Sequence, residues 1–159
     1  MAERDLGNLK FAAEMISAVA IIVSLLYVGY EIRQTQVLSQ RSVDELLFER
    51  NEESNRILIE NPDFADIFVR ARRDPASLSE AERVRYLAYE HNLIDNWEIA
   101  FYAHYDGVLN DEYWNDWDGY YRNQMKRRPR FAWTENRHLF VGPFAEYIDE
   151  FMQTEYDGN

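Results

Sequence analysis

Residues 11–30 read FAAEMISAVAIIVSLLYVGY, and Glu14 is the only charged residue among them. The sixteen residues from Met15 to Tyr30 carry no charge at all. An α-helix rises about 1.5 Å per residue, so roughly 20 mostly apolar residues cross the ~30 Å hydrocarbon core of a bilayer. A helix also satisfies its own backbone hydrogen bonds in that environment. The stretch therefore predicts a transmembrane helix.

Three other interpretations of this stretch stay open. A buried helix of a soluble protein can be apolar all round, although Tyr27 and Tyr30 fall where an interfacial aromatic belt would lie. A cleavable signal peptide fits less well, because Glu3 and Asp5 precede the apolar run and no A-x-A site follows it. A helix lying on the membrane surface would need a charged face. Glu14 is the counter-evidence to spanning, since a carboxylate deep in hydrocarbon costs roughly 2.5 kcal/mol or more.

Positive charges flank the apolar run on both sides. Arg33, Arg41 and Arg50 follow it within about 20 residues, whereas Arg4 and Lys10 precede it. The positive-inside rule then favours a cytoplasmic C-terminal domain. We therefore expect a single-pass protein of the cell inner membrane. The chain has no cysteine, which excludes disulfides and thiolate metal sites.

The chain beyond the predicted anchor is strongly acidic. Residues 41–159 carry 14 Lys and Arg against 25 Asp and Glu, or −11 of the total formal charge of −12. Phosphate backbones repel such a domain, so nucleic acid is not expected as a partner. Two basic groups are local exceptions that could contact lipid headgroups or an acidic partner, or could simply oppose the dipoles at helix C-termini. The groups are Arg70, Arg72 and Arg73, and Arg122, Lys126, Arg127, Arg128 and Arg130.

Proline and turn signals divide the chain into helices. No proline occurs before Pro62, so the anchor can continue as a helical stalk to about residue 60. Ser79 is followed three residues later by Glu82, which is the pattern of a capping box at the start of a long helix. No alternating strand pattern of useful length occurs. Helices are predicted from residue 63 to 73, from Ser79 to Asp106-Gly107, from Asn110 to Pro129, and at about 130–140 and 143–154.

The residues after the apolar run also carry a family resemblance. The segment SLLYVGYEIRQTQ, residues 24–36, resembles that of a common bacterial type in which a membrane helix ends in a motif like Tyr-x-x-x-Gln-Ile-Arg-Gln-Asn-Thr. Here Glu31 stands where glutamine is usual, and Thr35-Gln36 replaces the Asn-Thr pair. The segments ENPDFADIFVRARRDPASLSEAERVRY and GVLNDEYWNDW, together with Trp133, resemble the remaining landmarks of that type. The resemblance implies a single-pass membrane protein with a small helical domain of unknown function, and it implies no catalytic residue.

One stripe of the long predicted helix carries possible metal ligands. His91, Asp95 and Glu98 follow one another at spacings of four and three, which places them on one face. A di-iron carboxylate bundle would need two Glu-x-x-His motifs and two further glutamates. This chain has one such motif, from Glu135 to His138. The alternative is a hydrogen-bonded buried histidine beside ordinary surface acids.

Motifs of other chemistries are missing from the sequence. It contains no cysteine nucleophile and no Gly-x-Ser-x-Gly elbow. Its six glycines form neither a Gly-x-Gly-x-x-Gly fingerprint nor a Gly-Lys-Ser/Thr phosphate loop. We therefore expect no cofactor, and no enzymatic activity is evident.

Two residue patterns bear on packing and partners. Eleven aromatic residues fall in the 36 positions from Tyr86 to Tyr121, which predicts either a core built from large rings or a pocket or partner-binding face. Trp97 distinguishes the two, because a core tryptophan is shielded from solvent. Within the anchor, four small residues recur at spacings of four, three and four, a pattern that favours close helix association in a membrane. They are Ala13, Ser17, Ala20 and Ser24.

These patterns predict an all-α protein, in which an N-terminal transmembrane helix continues into a helical stalk and then a small multi-helix bundle domain. The expected segments are a membrane anchor at 1–32, a stalk packing on the head at 33–61, and an acidic, aromatic-rich helical domain at 62–159. The favoured function is a membrane-anchored scaffold or accessory protein that associates with itself or with a larger membrane protein complex. The alternative is a ligand- or metal-binding sensor or enzyme with a site near His91, Asp95 and Glu98.

Overall fold

The computed structural model of the protein describes the backbone of residues 2–156 and the side chains of residues 13–156. Within this range the chain forms helices and no strand, which confirms the predicted all-helical fold. The helices are α1 (Ala2–Glu60), α2 (Pro62–Arg73), α3 (Glu80–Tyr105), α4 (Asp111–Lys126), α5 (Phe131–Asn136) and α6 (Gly142–Thr154), with 3-10 turns at Pro75–Ser77 and Arg137–Leu139.

The chain divides into two units, residues 1–39 and residues 40–159. The second unit includes the last part of α1, because side chains of that part are packed inside it. Leu47 is fully buried, and the Asn51 side-chain amide donates a hydrogen bond to the Tyr121 hydroxyl at 2.8 Å. Residues 40–60, which fall in the predicted stalk, are thus part of the helical bundle. We call residues 40–159 the helical domain.

Side chains cap the starts of three helices, α2, α3 and α4. The Asn61 and Asn110 side chains each accept a hydrogen bond from the backbone N–H three residues later, at 3.0 and 3.1 Å. Pro62 follows as the first residue of α2, where its missing N–H costs nothing. The Ser79 backbone N–H donates to the Glu82 carboxylate at 2.8 Å, while the Glu82 N–H donates to the Ser79 hydroxyl. The predicted capping box is therefore confirmed.

The core of the helical domain is built around the ring of Trp97, which is 1% exposed. This ring stacks at 6.0 Å on Tyr121 and meets Phe151 edge-on at 5.6 Å. Such ring pairs add to the stabilisation that burial alone provides. The shielding of Trp97 confirms the core interpretation for this residue. Other side chains in the same cluster are Leu47, Ile94, Met125, Phe144, Ile148 and Met152.

Three tryptophans connect pairs of helices through their indole groups, in addition to filling the core. In each case the indole N–H donates a hydrogen bond to an aspartate on another helix, and a charged acceptor makes such a bond stronger than a neutral one. The bonds join α3 to α4, α4 to α1, and α5 to α6. The pairs are Trp97 with Asp118 at 2.9 Å, Trp117 with Asp44 at 2.8 Å, and Trp133 with Asp149 at 2.9 Å.

Candidate functional site

The three side chains predicted as metal ligands lie along α3 in different surroundings. Asp95 forms an ion pair with Arg50, with 3.1 Å between Oδ2 and Nη1. The His91 ring packs against Phe140 with centroids 5.2 Å apart, and burial raises the pKa of Glu98. Among the described residues, no group of three or more His, Asp or Glu side chains is placed to hold a metal ion. The geometry thus offers no support for a metal centre on this stripe.

The second basic group of the sequence is largely engaged within the helical domain. Arg122 lies 2.6 Å from the Asp118 carboxylate and 2.7 Å from that of Glu155, and it also donates to the Tyr147 hydroxyl. Lys126 reaches the same Glu155 carboxylate at 4.0 Å. These contacts use charges that the sequence suggested were available to lipid or to a partner.

Arg128 lies inside the domain, with only 5% of its surface exposed. Its Nε atom is 2.6 Å from Oε2 of the fully buried Glu90, an ion-pair distance, although the N–H does not point at the oxygen. Its Nη1 donates to the backbone and side-chain oxygens of Gln124 at 2.6 and 3.0 Å. Burial raises the pKa of Glu90, and the charge of Arg128 opposes that shift. The structure therefore places Arg128 in the interior, whereas the sequence left open its contact with lipid headgroups, with an acidic partner or with a helix dipole.

Arginines from both basic groups meet at one hollow of the domain. Arg72 from α2 and Arg127 and Arg128 from the end of α4 line a space of about 170 Å³. The guanidinium carbons of Arg72 and Arg128 lie 5.7 and 5.8 Å from the centre of the Phe68 ring, so both charges face one aromatic side chain. The rest of the wall is mostly polar. We call this space the arginine pocket, and its other lining residues include Ser54, Asn55, Tyr89 and Gln124.

Sequence reasoning missed the arginine pocket, because its residues come from helices far apart in the chain. The one signal available was the presence of two basic groups in an otherwise acidic domain. Both groups end a helix, and opposition to the helix dipole accounts for such charges without any site. Only the packing of α2 beside the end of α4 shows that these two helix ends face the same space.

The four small residues of the predicted anchor lie on the exposed surface of α1. The Ser17 hydroxyl donates to the backbone oxygen of Ala13 at 2.9 Å, and the Ser24 hydroxyl donates to that of Ala20 at 2.8 Å. Both hydroxyls are therefore satisfied within their own helix, a common arrangement for serine in a helix. This face can meet hydrocarbon or another helix without leaving an unpaired polar group.

Within the described residues, one helix segment is long and apolar enough to cross a membrane, judged by length and composition. It is the part of α1 that starts at Ala13, and the protein buries none of the most apolar stretch of this segment. Comparisons of the chain with protein-family models, with curated proteins and with solved structures found no match. The resemblance to single-pass bacterial proteins therefore stays a prediction.

Proposed function

We propose that the protein is a membrane-anchored helical scaffold or accessory protein. In this proposal the N-terminal part of α1 crosses the cell inner membrane once. The helical domain stands on the cytoplasmic side, where it organises copies of the protein or a larger membrane complex. The observation that carries the proposal is the exposure of every side chain from residue 13 to residue 38.

This exposure bears on the choice between a membrane helix and a soluble core helix. Ile16 and Leu26 are each 70% exposed, and their apolar neighbours are similarly uncovered. Each Å² of apolar surface left in water forgoes roughly 25 cal/mol. A core helix would be covered by its own protein, whereas this one has no cover within the described residues. A bilayer covers such a helix on all sides, which favours the anchor.

The first prediction concerns membrane integration. The native protein is expected to remain in the membrane pellet after alkaline carbonate extraction. The double variant Ile22→Arg/Leu26→Arg is expected to leave the membrane, because each arginine near the helix centre costs about 2.5–3.5 kcal/mol on insertion. A matched control is Val37→Arg/Leu38→Arg, which adds the same charges to exposed apolar positions beyond the predicted anchor and should stay in the pellet. Release of the native protein by carbonate would refute the anchor.

The second prediction concerns association within the membrane. Replacing Ala20 or Ser24 with isoleucine is expected to weaken self-association in a membrane two-hybrid assay, because a bulky side chain prevents close approach of another backbone. Gly29→Ile is the control, since residue 29 lies roughly 180° around the helix from Ala20 and an added side chain there meets no protein atom. If Ala20→Ile and Ser24→Ile gave the same two-hybrid signal as Gly29→Ile, the face of small residues would be excluded as the contact surface.

A further inference from the structure

We propose that the arginine pocket binds a small phosphate-bearing anion. This inference goes beyond the scaffold function, since it assigns a ligand-binding site to the helical domain itself. It rests on the charge balance of the pocket, on its size, and on how its donors are held.

The charge balance of the pocket is opposite to that of the domain around it. Residues 41–159 carry a large excess of carboxylates, yet three guanidinium groups face this one space. Arg128 is the one pocket arginine that forms an ion pair among the described residues, and the buried Glu90 is its partner. Arg72 and Arg127 form no ion pair among the described residues, although Arg72 lies near enough to Glu90 for its charge to lower the pKa of that carboxyl. Arg72 and Arg127 are exposed, so water weakens the repulsion among the three charges, but an anion placed between them would still relieve it.

The size of the pocket restricts the anion. Pockets for drug-sized ligands have volumes of about 300–1,000 Å³, whereas the arginine pocket has about 170 Å³. It therefore has room for one compact anionic group, not for an extended molecule. Arginine binds carboxylates and phosphates through pairs of parallel N–H donors. Three guanidinium groups offer more donors than the two oxygens of a carboxylate can accept, and a phosphate with its additional oxygens matches them better.

Part of the donor set is already fixed in place. The Arg128 guanidinium is held by Gln124 on one side and by Glu90 on the other, and it lies against the Phe68 ring. A side chain immobilised by the fold loses little entropy when a ligand arrives. Arg72 and Arg127 also line the pocket and are exposed, so their side chains can move to meet the anion. The pocket thus combines one fixed guanidinium with two adjustable ones.

The test uses the full chain purified in a mild nonionic detergent. Binding of inorganic phosphate is followed by isothermal titration calorimetry at constant ionic strength, with chloride as the background anion. Dihexanoyl phosphatidic acid, a soluble lipid with a phosphate monoester headgroup, is titrated in parallel. We expect saturable binding of at least one of these probes. The double variant Arg72→Gln/Arg127→Gln is expected to weaken that binding about tenfold or more, because charged hydrogen bonds are lost.

The control is Arg73→Gln/Arg130→Gln, which removes the same charge at neighbouring exposed positions that do not line the pocket. It should bind as the native protein does. Binding of inorganic phosphate, with or without the lipid, points to free phosphate compounds as the ligand class. Binding of the lipid alone points to lipid headgroups, and either result supports the site. Absence of saturable binding for both probes overturns the proposal. So does an equal loss in the two double variants, which would indicate unspecific attraction. Neither result bears on the membrane anchor, which carbonate extraction tests separately.

Discussion

Replacement of Arg128 by methionine is expected to lower the free energy of unfolding by about 3–5 kcal/mol, because it leaves the carboxylate of Glu90 buried without its cation. The methionine retains much of the side-chain volume, so the effect is electrostatic more than steric. The measurement is urea unfolding of the full chain in mild detergent, followed by tryptophan fluorescence. Arg130→Met is the matched control, since Arg130 is exposed and its replacement should change stability little.

The decrease in the free energy of unfolding caused by Arg128→Met is expected to depend on pH. Burial already raises the pKa of Glu90, and removal of the opposing cation raises it further. Consider a carboxyl group whose pKa in the folded protein is higher than its value of about 4.3 in the unfolded chain. Such a group stabilises the folded state most at a pH below its pKa in the unfolded chain. That contribution is lost as pH rises through the folded pKa. The deficit of the variant should therefore be smaller at about pH 4.5 than at about pH 8.

A double replacement separates the charge from the packing. Glu90→Met/Arg128→Met removes both members of the buried pair, and apolar pairs of similar volume are often neutral or stabilising in such positions. The double variant should thus be more stable than Arg128→Met alone. A pH-independent loss that the second mutation does not relieve would show that Arg128 acts through its volume and not through its charge.

Trp97→Ala is expected to destabilise the helical domain by about 3–5 kcal/mol, because it opens a large cavity where three helices meet. The ring contacts Tyr121 on α4 and Phe151 on α6, and neither aromatic ring can move to fill the space without losing its other contacts. The same urea titration measures the effect. The expected result is a shift of the midpoint to lower urea concentration with little change in slope.

Trp97→Phe is the informative companion of this variant. Phenylalanine keeps most of the ring volume but cannot donate the hydrogen bond to Asp118. Its cost should be clearly smaller than that of alanine, and it reflects mainly the lost bond. If the phenylalanine and alanine variants proved equally unstable, the hydrogen bond and not the packing would be the main contribution of Trp97.

The boundaries of the helices were predictable because their signals are local. Asn61 before Pro62, and Ser79 before Glu82, are pairs close enough in the chain to interact in any fold that allows a helix there. The signal for the predicted anchor is equally local, since it depends only on the length and composition of one apolar stretch. The structure adds that its side chains are exposed, which no pattern of residue types can show.

The features of the candidate site were not predictable for the opposite reason. The ion pair of Glu90 with Arg128 depends on how α2, α3 and the end of α4 pack together. The same packing brings Arg72 and Arg127 to one pocket. Sequence spacing places His91 and Asp95 on one face, but it cannot indicate that Arg50 from α1 reaches Asp95. Charges that look available in the sequence are thus assigned to partners only by tertiary packing.

The hydrogen bonds between tryptophans and aspartates also allow the opening of individual helix pairs to be measured. The indole N–H groups of Trp97, Trp117 and Trp133 each donate to a carboxylate, and each bond joins a different pair of helices. Among the described residues, the indole N–H of Trp114 has no such acceptor. An engaged proton exchanges with solvent deuterium only when its own contact opens. If the signals of these protons are resolved in a nuclear magnetic resonance spectrum, the exchange rate of each one measures how often its pair of helices separates. The measurement needs no added label or mutation.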